Sequence, residues 1–531
     1  MLPAKISHLW SRISQWKGAR EDHPMRGETE VLLETFGKVS EQRFDGTVIV
    51  DATWDNPNYW LRYSVIRKAL GLGRSREIGL IGEFRRAQQS RTLARLGISE
   101  IADYLRIPSD RTSNRRKAIA LLSGVSRPEE LLELRLPLGL PAVFFYDTVL
   151  KRQRLSSVDC GDARMIDWLT EYLDLISKAE RILTEYSPSL VISSHAIGIY
   201  LPLVWCALKR RIAVIVPFGD NGLLRLWKID DPQQIFDFLD HPSAEHFKEL
   251  DPTRKKHISQ AGKAYLETRF AGNTTNLAVR YTYGSDKENI NRDGLCALFG
   301  WDARKPIVGI YAANWFDYPH ALGMASFRDF EDWILATYGC ALRNPDVNWL
   351  FRAHPVDEWY GGMTLNDVME KRQATHIRIS EKHWNGQSVL NCIDAVITFH
   401  GTIGVEATAL GKPVLVADRG WYDDWDFVAR PKTRENYLCL LGKEWWTQMD
   451  RAKNADLARI FAGWYWGRPA WQERWLLEDD SEQWKLYSNI KTLLETSRPE
   501  IEIEAAFVRE WFHSGYPHFH TYKMLKSDSY R

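Results

Sequence analysis

Two short segments, Arg352-Ala-His-Pro355 and Gly401-Thr-Ile-Gly-Val-Glu406, carry the residue types that hold a phosphorylated ligand. In the first, the X-Pro bond fixes the direction of the turn after an apolar run, so that Arg352 and His354 project from one sheet edge. A cationic pair in that place can neutralise a departing phosphate or diphosphate. A histidine in such a turn can equally satisfy a backbone carbonyl. In the second, Gly401 and Gly404 permit a tight turn between a strand ending at Thr398 and a helix whose first N–H groups are unpaired. Thr402 and the start of that helix form a seat for an anion, and Glu406, one turn further on, can reach the hydroxyls of a ribose. Phosphate and ribose together describe a nucleotide, although glycine-rich turns also serve only to seat a helix on its sheet. A third segment, Tyr311-Ala-Ala-Asn-Trp-Phe-Asp-Tyr-Pro319, follows the first strand of the same region and offers Asn314 and Asp317 as contacts to sugar or phosphate. An Asp in such a loop can also be a turn former.

Elements that alternate between strand and helix must position these groups. Thr47–Val50, Ile78–Ile81, Ala142–Phe145, Leu190–Ser193 and Ala213–Val216 read as strands, with helical patterns at Tyr59–Leu70 and Ala87–Leu96. A second series runs through Pro306–Tyr311, the helix Phe327–Tyr338, Val347–Arg352, Ala395–Thr398, the helix Val405–Leu410 and Pro413–Ala417. This alternation predicts an α/β chain of two Rossmann-like lobes facing each other across a cleft, with ligands at the carboxyl ends of the strands. The expected division is a helical segment at 1–45, a first lobe with a helical insertion at 46–285, a nucleotide-sugar lobe at 286–480 and a helical tail at 481–531. One tail helix is expected to cross back to the first lobe.

The chain has 531 residues, which is more than one core usually serves. Its 70 Lys and Arg against 69 Asp and Glu give a net charge of +1, so no overall field favours nucleic acid. Six scattered cysteines argue against a zinc site or a disulfide framework and for a reducing compartment. No apolar run approaches the ~20 residues needed to span a bilayer. Leu2, Ile6, Leu9, Trp10, Ile13 and Trp16 fall at helical spacing opposite Lys5, Arg12 and Lys17, a pattern that suits a membrane surface or docking on the chain's own domain. The expected location is the cytoplasm, with the inner face of the cytoplasmic membrane as a peripheral contact.

In order and spacing, Asn314-Trp-Phe-Asp317, Phe327–Trp333, Arg352-Ala-His-Pro355, Gly401–Glu406 and Gly411-Lys-Pro413 resemble the capsule polysaccharide biosynthesis family. These are glycosyltransferases of the GT-B type that include retaining transferases of 3-deoxy-octulosonic acid (Kdo), and the resemblance covers about Ile307 to Leu441. Bacterial sialyltransferases are similar in pairing a His-Pro turn with a later Ser/Thr-rich turn, and by that resemblance His354 and Thr402 contact the donor's phosphate. The turn Thr398-Phe-His-Gly-Thr402 lacks the tandem Ser-Ser of those families, which leaves CMP open against UDP or GDP. A Glu four residues into the helix also resembles UDP-sugar transferases and UDP-N-acetylglucosamine 2-epimerase, where it binds ribose. The resemblance implies that the first lobe binds the acceptor and presents a carboxylate or histidine across the cleft. Asp220, His195 and Asp51 each follow a predicted strand and are the choices for general base or nucleophile.

The expected activity is therefore transfer of a sugar, Kdo or another CMP-activated sugar among the options, from a nucleotide donor to a surface polysaccharide or glycolipid. No cofactor and no metal are expected, the donor being the substrate, and no nucleic-acid partner. A nucleotide-sugar epimerase, a polyol-phosphate transferase and a non-catalytic binder of nucleotide sugars or glycans are the alternatives.

Overall fold

The computed structural model describes residues 44–54, 56–82, 86–218, 223–237, 242–274, 276–372, 374–467, 475–476 and 495–527. The amphipathic pattern before residue 44 and Asp220 lie outside the described residues.

The first lobe runs β1 (Thr47–Asp51), α1 (Pro57–Leu70), β2 (Arg76–Ile81), α2 (Arg86–Arg95), β3 (Glu100–Asp103), α3 (Arg111–Leu122), α4 (Ala142–Gln153), α5 (Met165–Tyr186), β4 (Leu190–Ile192), α6 (Leu201–Lys209), β5 (Ala213–Phe218) and β6 (Arg225–Ile229). Its strands lie in the order β3-β2-β1-β4-β5-β6. All are parallel except β6, which runs against β5. The β-branched run Val48-Ile-Val50 is buried on both faces, as a central parallel strand covered by helices requires. Asn56 caps α1 by accepting from the Asn58 N–H, Pro57 occupies the first turn, and Gly71 ends the helix at φ 67°.

The second lobe begins with two helices, α7 (Pro252–Phe270) and α8 (Leu277–Tyr283). It continues with β7 (Ile307–Tyr311), α9 (Phe330–Leu342), β8 (Asn348–Arg352), β9 (Ile377–Ile379), β10 (Ala395–Thr398), α10 (Ile403–Ala409), β11 (Val414–Val416) and α11 (Arg451–Trp466). Its five strands are all parallel and lie in the order β11-β10-β7-β8-β9. Two tail helices, α12 (Arg498–Phe512) and α13 (Phe519–Lys526), return to the first lobe and pack on α1 and β6.

Two expectations are corrected. Ala142–Phe145 is not a strand but the start of α4, whose residues from Phe144 to Leu150 are all buried. A run that is apolar on every side has no periodicity with which to separate strand from helix. The helical insertion expected in the first lobe instead packs on the second, where α7 lies along α11. The reason is a glycine crossing: a Cβ on Gly262 would stand 1.9 Å from Arg459 O, and one on Gly463 would stand 1.8 Å from Ile258 O. Only two glycines let these backbones approach so closely.

The lobes share one apolar core, in which Phe145 and Val149 of α4 join Trp315, Phe316 and Met324 beyond β7.

Candidate functional site

In both sheets the strand order reverses beside the first strand, between β1 and β4 in one lobe and between β7 and β10 in the other. Such a switch point opens a crevice at the carboxyl ends of the strands, where ligands of open α/β sheets bind. Apart from Glu406, which lies inside α10, the described site residues of the sequence reading lie on one of these two edges. Asp51 ends β1 and His195 follows β4, while Asn314 and Asp317 follow β7. Arg352 ends β8, with His354 and Pro355 after it, and Gly401 and Thr402 follow β10. Since β7 alone separates β8 from β10, the two motifs stand roughly 10 Å apart along the edge.

Arg352 is 8 % exposed. Its guanidinium donates to Ser380 Oγ at 2.7 Å, to Trp384 O at 3.0 Å and to Glu381 O at 3.5 Å. No carboxylate pairs with it among the described residues, so a buried positive charge stands with neutral partners only. That arrangement costs desolvation energy and favours an anion arriving from outside. A small open cleft lies beside it, lined by Tyr281, Thr282, Arg352, Ala353, Pro355, Ser380 and Lys382. The Val356 N–H approaches His354 Nδ1 at 3.4 Å. Burial holds the imidazole below its usual pKa, with Asp357 and Asp317 pulling the other way. Beside them, Asn314 Oδ1 is buried and has no hydrogen-bond partner among the described residues.

The glycine-flanked turn has a different logic from the one its sequence suggests. Gly404 is required by packing, because a Cβ there would stand 2.1 Å from Tyr422 Oη, which itself donates to Gly401 O at 2.9 Å. Glu406 is buried, and both of its carboxylate oxygens are engaged: Arg269 Nε donates to Oε1 at 2.7 Å and the Tyr283 hydroxyl donates to Oε2. Arg269 also donates to Thr402 Oγ1 at 3.3 Å. The acid that the sequence aligns with a ribose is thus committed to α7 and α8, while Thr402 remains exposed at the rim. Trp421, at the end of the following strand, donates to His400 O at 3.0 Å and packs against Phe461.

On the first-lobe edge Asp51 accepts from Thr53 N at 2.9 Å, from Thr53 Oγ1 at 2.6 Å and from Ser193 Oγ at 3.4 Å. Burial raises its carboxyl above the ordinary value, against the lowering effect of these bonds. His195 lies with Nδ1 3.1 Å from Ser194 Oγ, its ring stacked on Tyr200 and met edge-on by Trp54. Burial pushes the imidazole down to about 4, so it is neutral near pH 7.

The two edges touch. Tyr318, beyond β7, has φ 53°, and its hydroxyl would be 2.8 Å from a Cβ on Gly198, which itself sits at φ 54°. Lys151 of α4 pairs with Asp317 at 2.9 Å. Asp147, also of α4 and fully buried, accepts from His320 N at 3.0 Å, Ala321 N at 3.2 Å and His320 Nδ1 at 2.7 Å. Sequence reasoning missed Arg269, Lys151, Asp147, Tyr281 and Lys382. Nothing local marks them, because each acts on a residue from a distant segment.

Among the described residues no group of three or more His, Cys, Asp or Glu could hold a metal ion. No helix among them is long and apolar enough to cross a membrane.

No known protein family matches the sequence, and no curated protein does. Among solved structures the chain is similar to KpsC, a beta Kdo 2,4 transferase of Thermosulfurimonas dismutans, at 14% identity over 51% of this chain and 79% of that one, TM-score 0.34. It is also similar to the UDP-GlcNAc 2-epimerase of Methanocaldococcus jannaschii, solved with UDP-GlcNAc and UDP, at 13% identity over 78% and 98%, TM-score 0.27. A third likeness is to the glycosyltransferase SnogD of Streptomyces nogalater, at 11% identity over 78% and 94%, TM-score 0.22. TM-scores this low leave reaction and substrate to be argued from the site itself.

Proposed function

We propose that this chain transfers a sugar from a nucleotide donor to a glycan or glycolipid acceptor at the junction of its two switch points. The observation that carries the reading is Arg352, a buried cation without a carboxylate partner among the described residues, at the carboxyl edge of a Rossmann-ordered sheet. A nucleotide phosphate supplies the missing negative charge there, with His354 beside it and the exposed Thr402 two strands away. The sugar then lies toward Asn314 and the first lobe, where His195 is held by Ser194 through Nδ1. His195 Nε2 takes the acceptor hydroxyl's proton as the new glycosidic C–O bond forms. The bond from the sugar to the phosphate breaks, and the phosphate leaves with the electron pair toward Arg352. Asp51 orders this edge through Thr53 and Ser193. The acceptor class, a bacterial surface polysaccharide or glycolipid, and a CMP-activated sugar such as Kdo as donor are the finer parts of the same proposal.

The test is calorimetric titration of CMP, UDP and GDP into the wild type and into Arg352→Ala and His354→Ala, followed by product analysis with the matching nucleotide sugar. One nucleotide binds the wild type and binds both variants at least tenfold more weakly. Free nucleotide appears together with a glycosylated acceptor. Binding unaffected by Arg352→Ala overturns the site, and an isomerised nucleotide sugar in place of a glycosylated acceptor overturns the reaction.

A further inference from the structure

Tyr318 lies in the left-handed region at φ 53°, a conformation that a bulky residue adopts only where its surroundings impose it. The imposing element is α4, which grips the chain on both sides of Tyr318. Lys151 pairs with Asp317 at 2.9 Å, and its Nζ stands 5.4 Å from the Tyr318 ring centroid. One helical turn earlier, Asp147 accepts from the His320 and Ala321 N–H groups and from His320 Nδ1. Residues four apart on a helix share a face, so Asp147 and Lys151 act together. The Leu322 N–H closes the turn on Tyr318 O at 3.1 Å.

This grip presses Tyr318 on the other edge. Its ring lies on Gly198, where an added Cβ would meet Oη at 2.8 Å, Cε1 at 3.0 Å and Cζ at 3.1 Å. The Tyr318 hydroxyl makes no hydrogen bond among the described residues, so the contact belongs to the ring. Gly198 opens the short 3-10 turn Gly198–Tyr200, against which α4 also packs. At the end of that turn Tyr200 stacks on His195, with ring centroids 4.9 Å apart and planes at 27°. Trp54 meets the same imidazole edge-on at 4.6 Å, and Ser193 Oγ donates to His195 O at 2.8 Å. His195 is thus held by its own lobe through Trp54 and Ser193, and by the second lobe through Tyr200, Gly198 and Tyr318.

We propose that Tyr318 is a positioning residue whose ring, held by α4, sets the Gly198–Tyr200 turn and through it the orientation and packing of the His195 imidazole. The acceptor-side base then takes its place when the chain after β7 is seated on α4, which couples the two switch points. The catalytic part of the inference rests on His195 as the base, and the test separates the two.

The experiment compares wild type, Tyr318→Asn, Tyr318→Gly and Tyr318→Phe. Asn and Gly suit this φ without the ring, Phe keeps the ring, and circular dichroism checks each fold. NMR of protein with nitrogen-labelled histidine follows His195, its signal assigned with His195→Gln. The spectra are taken near pH 5.5, between about 4 for the buried ring and about 6.5 for a free one. The imidazole is neutral in wild type and Tyr318→Phe, and partly protonated in the two deletions, where water reaches it. In sugar transfer the deletions lower kcat roughly 10- to 100-fold and move the acid limb of its profile up in pH, and Tyr318→Phe restores both. Affinity for CMP, UDP or GDP stays within about twofold, because Arg352 is held by separate contacts. Deletions with the wild-type titration overturn the proposal, and lost transfer without a moved titration does so too. Equal losses in Tyr318→Phe and Tyr318→Asn overturn the role of the ring. A moved titration in a protein that transfers no sugar upholds the positioning and overturns His195 as base.

Discussion

Arg269 and Glu406 form a buried ion pair at 2.7 Å, although 137 residues separate them in sequence. The arginine comes from α7, the glutamate from α10, and the Tyr283 hydroxyl of α8 closes the group from the other side. Removing one partner strands a buried charge. Glu406→Ala and Arg269→Met should each lower the unfolding free energy by about 3–5 kcal/mol. The double variant Arg269→Met/Glu406→Ala should lose less than the sum of the single losses. Urea unfolding of the four proteins measures this, and additive losses would remove the pair from the structure's stabilising contacts.

The crossing of α7 and α11 gives a second test, because glycine in a helix ordinarily weakens it. At Gly339 in α9 an added Cβ meets only Arg343 Nη1 at 3.7 Å, and Gly339→Ala should stabilise by about 0.5–1 kcal/mol. At Gly262 and Gly463 the same change drives Cβ into a backbone carbonyl and should destabilise by about 1–3 kcal/mol or more. Thermal unfolding should therefore shift in opposite directions for substitutions of one chemical type.

Two of the contacts that join the lobes differ in weight. Lys151 and Asp317 are both partly exposed, with side chains 31% and 46% accessible, so Lys151→Ala should change stability by only about 0–1 kcal/mol. Asp147 accepts three hydrogen bonds with no exposure. Asp147→Ala leaves those buried donors unpaired and should cost about 3–5 kcal/mol. Denaturant midpoints of the two variants decide the ranking, and a larger loss for Lys151→Ala would reverse it.

Burial brings His195 and His400 down to about 4, against about 6.5 in an unfolded chain. Between those values the unfolded state binds protons that the folded state refuses, so these groups make stability fall as pH drops from about 6.5 toward 4. Asp51 has the opposite sign, since its carboxyl is raised by burial and it loses stability as pH climbs above its unfolded value of 3.8. Unfolding free energies at pH 7.5, 6 and 5 should decline in that order. The decline should be shallower in His400→Gln, and an unchanged slope would exclude His400 as a source.

The sequence alone marked four of the five strands of the second lobe, all but β9, and the side of the sheet that matters. Apolar runs of strand length, each followed by a helix, can be joined only as parallel strands with crossovers of one hand. That rule sends Arg352, His354, Asn314, Gly401 and Thr402 to one edge before any coordinates are seen. Tertiary structure decided what these residues touch. Glu406 reads as a ligand contact until Arg269 arrives on a helix that two glycines dock against the second lobe. Gly404 reads as a phosphate turn until Tyr422 fills the space above it. Ala142–Phe145 reads as a strand because burial on every side erases the period that would mark a helix. Local pattern encodes how far a side chain is buried, whereas the identity of its partner depends on which distant surfaces meet, and that is fixed only when the lobes close on each other.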